Sequence, residues 1–177
     1  MKSVRGCLCL ALFAISSTVT PSLAQSAVPA PAGPVPPAIR AAKTIFVSNA
    51  GADSGLFPQP FSGDTDRAYN QLYSALKADG HFKLVTDPTI ADLVLEIQLI
   101  APQGPSEPSK QKGASDPHPM FRLTVYKDHY LLWTITESVD FALLQKTHDR
   151  NFDEALSAVL ANFLQIAGKS PAAAQGK

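Results

Sequence analysis

The residues whose types could carry chemistry are four histidines, His81, His118, His129 and His148, and an Asp-x-Asp pair, Asp64 and Asp66, close to Asp53. A helical metal pair needs ligands at i and i+4, and no two of these histidines have that spacing. His81 and His129 fall at turns, and His118 sits between Pro117 and Pro119. A calcium loop needs six or more oxygens and a glutamate at fixed spacing, which the stretch around Asp53, Asp64 and Asp66 does not supply. The chain has no Gly-x-Ser-x-Gly elbow and no phosphate-binding loop. A small hydrolase or metal-dependent enzyme would have to be built around Asp53, Asp64 and His148. The favoured expectation is a non-enzymatic protein with no catalytic, cofactor-binding or metal-ligating residues. A carrier of apolar ligands is a further alternative, but it needs a cavity between helices and sheet, and the bulky inward residues oppose one.

The elements that would position such residues are legible. Lys43 to Asn49, "KTIFVSN", is β-rich and apolar on both sides, which suits a central strand. Thr65 to Asp79 reads as a helix capped by Asp64, with Ala68, Tyr69, Leu72, Tyr73 and Leu76 as its apolar stripe and Gly80 at its end. Phe82 to Val85 is a short strand stopped by Asp87-Pro88. Ala91 to Ile100 is the longest strand, with Leu93, Leu95, Ile97 and Leu99 on one face. Phe121 to Tyr126 and Tyr130 to Ser138 form a hairpin around a tight turn, with Leu131, Trp133 and Ile135 facing inward on the second strand. Phe152 to Ala167 is an amphipathic helix, its start marked by the capping-box spacing of Asn151 and Glu154. The order β-α-β-β-β-β-α predicts an α+β two-layer sandwich, two helices on one face of a five-stranded mixed sheet in the order 2-1-3-4-5.

The flanks point to export. Lys2 and Arg5 precede the apolar run Cys7 to Ile15, and Ser22-Leu23-Ala24 offers small residues at a cleavage site, so residues 1–24 read as a signal peptide. Residues 25–42 are a Pro/Ala-rich spacer whose end can dock through Ile39, residues 43–168 are the single domain, and residues 169–177 are a flexible tail. Both cysteines leave with the signal, so the mature chain has no thiolate or disulfide chemistry and is stabilised by its core alone. Without Lys2 and Arg5, 13 basic and 15 acidic residues remain, and no basic block stands out. Nucleic-acid binding relies on clustered cations and is not expected. No later segment is long and apolar enough to span a bilayer. The expected location is periplasmic or secreted.

Three surfaces offer binding chemistry instead. The loop Gly51 to Gly63 sets Leu56, Phe57 and Phe61 among Gly and Pro, so Phe57 and Phe61 either tuck onto the domain or form a recognition patch. The loop Ala101 to Pro119 is longer than hairpin connections usually are, and reads as disordered or as a contact arm. The outer sheet face carries Val94, Ile100, Tyr126, Tyr130 and Leu132 among polar residues, which is more apolar than a freely solvated face requires. A loop, the spacer or another chain would cover it.

Three features together carry a resemblance: "IADLVLEIQL" after a glycine-ended helix and short strand, the pair "FRLTVYKDHYLLWTITES", and the closing helix "FDEALSAVLANFL". This pattern is similar to uncharacterised bacterial envelope domains, often carried on lipoproteins, and in architecture resembles the TolB N-terminal and CsgG-type domains. The resemblance covers roughly residues 43–167 and implies fold and compartment. It brings no catalytic residues with it, and the chain lacks the cysteine that would anchor a lipid at Gln25. The partner implied is an unidentified envelope protein or a second copy of the chain.

Overall fold

Alternation of apolar and polar residues in four segments, and helical periodicity in two others, requires a sheet with one greasy face and helices to cover it. A computed structural model describes residues 33–102 and 118–169 and shows that arrangement. The elements are α1 (Pro37–Ala41), β1 (Thr44–Ala52), α2 (Arg67–Asp79), β2 (Lys83–Leu84), a 3-10 turn (Pro88–Ile90), β3 (Leu93–Ile100), β4 (Met120–Lys127), β5 (Tyr130–Ser138) and α3 (Gln145–Ile166). The signal peptide, the first part of the spacer, most of the long loop and residues 170–177 lie outside the described residues.

The five strands form one mixed sheet in the order β2-β1-β3-β4-β5. β1 runs parallel to β2 and β3, while β4 is antiparallel to both β3 and β5. Ile45 and Val47 of β1, the four inward residues of β3, and Phe121, Leu123 and Val125 of β4 are buried beneath α2 and α3. Leu72 and Leu76 of α2 and Phe152, Val159 and Phe163 of α3 close the core from above. Ile39 of α1 is fully buried in the same core, so the ordered domain begins within the Pro/Ala-rich stretch.

Asp92 sets the parallel register. Its carboxylate accepts hydrogen bonds from the backbone N–H of Lys43 and Thr44 at 2.8 and 2.9 Å. Its own N–H lies 2.8 Å from Thr44 Oγ1 and 3.1 Å from the Thr44 carbonyl. The Ala-Asp pair before β3 therefore ties the start of the middle strand to the start of β1. β3, expected to be the longest strand, has eight residues, whereas β1 and β5 have nine each. The hydrogen bonds from Lys43 and Thr44 hold the Asp92 carboxyl below the usual carboxylate range.

Two helix starts differ from the sequence expectation. Asp64 does not cap α2. Its carboxylate accepts from the Asp66 N–H at 3.0 Å, making a turn that delays the helix to Arg67. α3 begins at Gln145, so Asn151 lies inside the helix and Glu154 makes no capping box. Asn151 instead donates to the Asp140 carbonyl, and Glu154 faces Arg150 one turn away. The added turns carry Gln, Lys, Thr and His, which give no apolar signal; only His148, one turn before Phe152, continues the buried stripe. Gly80 does end α2 as expected, at φ +73°, where a side chain is disfavoured.

Candidate interaction surface

The hairpin is closed by Asp128 and His129, both at positive φ (49° and 68°), between the paired residues Lys127 and Tyr130. That is the two-residue geometry whose twist matches the strands. Beyond it the register slips: Tyr126 pairs with Leu131 but Val125 pairs with Trp133, leaving Leu132 as an extra residue. A bulge of one residue exchanges the faces of everything before it. Leu132, expected on the outer face, packs against the core, whereas Leu131, expected inside, is 59 % exposed. Trp133 and Ile135 keep their inward positions after the bulge.

Tyr130, also expected on the outer face, precedes the bulge and pairs with Lys127 on the other side. Val94, Ile100 and Tyr126 stand where the alternation places them. Val94 faces Tyr126 across the strands, and Ile100 faces Met120 at the opposite end, all half-buried. Between them the face is polar: Arg122 donates to Gln98, Tyr126 Oη approaches Glu96 at 3.4 Å, and Thr124 pairs with Thr134. At the Val94 end an open groove of about 610 Å³ runs between the 3-10 turn and the hairpin, lined by Phe46, Val94, Tyr126, Thr89 and His129. Of its two carboxylates, Asp92 is already committed to Lys43 and Thr44, and Asp128 sits in the hairpin turn.

The aromatic loop tucks onto the domain. Phe61 is 1 % exposed and Leu56 is buried, while Phe57 is half-buried. Phe61 packs against Phe152 with ring centroids 5.3 Å apart, Phe57 lies 6.2 Å from both, and Phe121 closes the cluster 4.8 Å from Phe152. Arg67 lies over the Phe152 ring at 4.2 Å. From there it reaches Asp149 at 2.6 Å and Asp153 at 2.7 Å, and donates to the Ser62 carbonyl at 3.0 Å. The Ser62 N–H also donates to Asp149. Burial alone would raise the Asp149 pKa. The Ser62 N–H and the Arg67 guanidinium outweigh it, and the carboxyl is held at about 2. The loop is thus clamped to the starts of both long helices, and that anchorage turns its phenylalanines inward.

The three residues on which an enzyme would depend are each used separately. Asp53 accepts from the Ala101 N–H at 2.8 Å, Asp64 shapes the turn before α2, and His148 is packed between the edges of Phe61 and Phe141. None of them lines the groove. His81 contacts Asp79 at 2.6 Å, and His118 and His129 are exposed. Among the described residues no group of three or more His, Cys, Asp or Glu could hold a metal ion.

The apolar surface lies elsewhere. In the segment between β5 and α3, Phe141 is 82 %, Leu143 91 % and Leu144 69 % exposed, and at the opposite end of β5 Tyr130 is 74 % exposed beside Leu131. Of these, only Tyr130 was singled out from the sequence. "FALL" before the last helix was the available signal: three large apolar residues in a segment with no place on the helix stripe or the sheet alternation. No helix of the described residues is long and apolar enough to cross a membrane.

No family model and no curated protein matches the chain. Solved structures resemble it. A Xanthomonas campestris protein described by the family model DUF330 has a TM-score of 0.44 and 15% identity, covering 79% of this chain and 87% of that one. A PelC variant dodecamer from Paraburkholderia phytofirmans has a TM-score of 0.33 and 16% identity, covering 66% of this chain and 85% of that one. A hypothetical protein from Chlamydia trachomatis has a TM-score of 0.35 and 12% identity, covering 72% of this chain and 95% of that one.

Proposed function

We propose that this chain is an exported, non-enzymatic module that binds or assembles with a protein of the bacterial envelope. The observation that carries this reading is the exposure of Phe141, Leu143 and Leu144 together with Tyr130 and Leu131. Large apolar side chains clustered in water are costly, and they mark surfaces that a partner covers. The basic and apolar pattern of residues 1–24 supports export to the periplasm or beyond. The likeness to envelope domains of the TolB N-terminal and CsgG kind supports the same compartment. Asp53, Asp64 and His148 are occupied in holding the fold, which favours a binding role over a hydrolytic one.

A photo-crosslinking side chain placed at Leu143 or Tyr130, with exposed Lys77 of α2 as control, tests the surface in intact cells. Adducts at the first two positions and not at the third are expected. Absence of adducts at Leu143, or equal yields at all three positions, would remove the basis of the reading. N-terminal sequencing of the product is expected to begin at Gln25, and a chain that keeps Met1 would refute export.

A further inference from the structure

β5 is an edge strand nine residues long, and among the described residues one side of it faces no other strand. The Val139 N–H donates to the Pro119 carbonyl at 2.8 Å. Antiparallel bonding alternates by two, so Trp133, Ile135 and Glu137 turn their backbone groups toward β4. Thr134, Thr136 and Ser138 turn theirs the other way. Among the described residues no hydrogen bond reaches those outward groups. The strand from Trp133 onward carries neither Lys nor Pro, the usual protections of an exposed edge, and its single bulge lies before this segment.

We propose that this edge pairs antiparallel with β5 of a second copy, about a two-fold axis at Thr136. The proposal rests on the reading of the chain as a binding module and names its partner. The argument is self-complementarity. Two exposed apolar groups flank the open edge, Tyr130 and Leu131 at its start and Phe141, Leu143 and Leu144 past its end. A two-fold axis reverses the strand, so each group meets the other group of the second copy. Counted past the bulge at Leu132, pairing about Thr136 brings Tyr130 level with Phe141 of the second copy, with Leu131 beside it. It also keeps outer residues opposite outer ones, Thr134 with Ser138, and inner opposite inner, Trp133 with Val139. Glu137 then faces Ile135 rather than its own copy, so no like charges meet. About six backbone hydrogen bonds would join the sheets into one layer.

The test uses the full chain with Cys7 and Cys9 replaced by serine. Light scattering at high micromolar concentration is expected to give the mass of two chains. Thr136→Pro removes an outward N–H and no bond to β4, and edge strands tolerate proline. Leu143→Asp changes an exposed side chain. Each is expected to weaken the dimer at least roughly tenfold. In an antiparallel pair the axial residues lie about 5.5 Å apart, within disulfide range. Thr136→Cys should therefore oxidise to a covalent dimer, and Ser74→Cys on α2 should not. A monomer would overturn the proposal, as would a dimer indifferent to both Thr136→Pro and Leu143→Asp. A monomer that still crosslinks a different envelope protein through Leu143 would defeat the two-fold pairing and leave the binding-module reading standing.

Discussion

Two segments of this domain carry similar apolar content and meet opposite fates. In the loop between β1 and α2, Leu56 and Phe61 are buried and Phe57 is half-buried. In the connection between β5 and α3, Phe141, Leu143 and Leu144 stand in water. The difference is anchorage. The first loop is fixed by Arg67, which joins Ser62 to Asp149 and Asp153 and lies over Phe152. The second is followed directly by a helix whose stripe is already satisfied by the sheet, and only Ala142 and Val139 turn inward. Apolar composition shows that a segment has something to bury. Whether it buries it within its own chain depends on a polar clamp elsewhere.

The contrast can be broken at its strongest point first. Phe61→Ala should destabilise the domain by about 3–5 kcal/mol, because it empties the centre of the aromatic cluster. Urea denaturation measures this, and a loss under 1 kcal/mol would mean that the loop is not part of the core. Arg67→Ala should cost about 2 kcal/mol by leaving Asp149 and Asp153 side by side without their cation. It should also make the loop more accessible to protease than α2.

A subtler effect is on acid stability. The Asp149 pKa is about 2 in the folded chain and about 3.9 in an unfolded one. Its stabilising contribution is therefore complete above the unfolded value and is lost as pH falls toward 2. Asp149→Asn should flatten the fall in stability between pH 4 and pH 2 without abolishing it, since Asp87 and Asp92 are also held low. An unchanged slope would separate Asp149 from the clamp. The smallest effect belongs to the other segment. At concentrations dilute enough for the chain to be monomeric, Leu143→Asp should shift stability by no more than about 0.5 kcal/mol, because the side chain touches little of its own domain. A large loss would show that the segment packs inward, as the first loop does.

Much of the fold was legible because it rests on periodicity. The alternation of Leu93, Leu95, Ile97 and Leu99 placed β3, and Gly80 placed the end of α2. The features missed have no periodic signal. The extra turns of α3 are polar but for His148, and the bulge at Leu132 leaves "YLLWTI" readable in two registers. Outer-face residues Val94, Ile100 and Tyr126 stand as the alternation places them because β3 and β4 pair without a break, whereas Tyr130 lies before the β5 bulge and falls on the other face. The sequence leaves Phe61 open between tucking in and facing outward because the groups that draw it in, Asp149 and Asp153, lie more than eighty residues later.

The sequence by itself determined the α+β class and which face of most regular segments is apolar. Those follow from local geometry, in which a period of two or 3.6 aligns side chains whatever lies around them. Only the tertiary structure decided the strand order, which irregular segments are covered and that β5 keeps an edge open among the described residues. Burial of a loop is a contest between distant groups, and the bonding direction of a strand depends on where its neighbour stops.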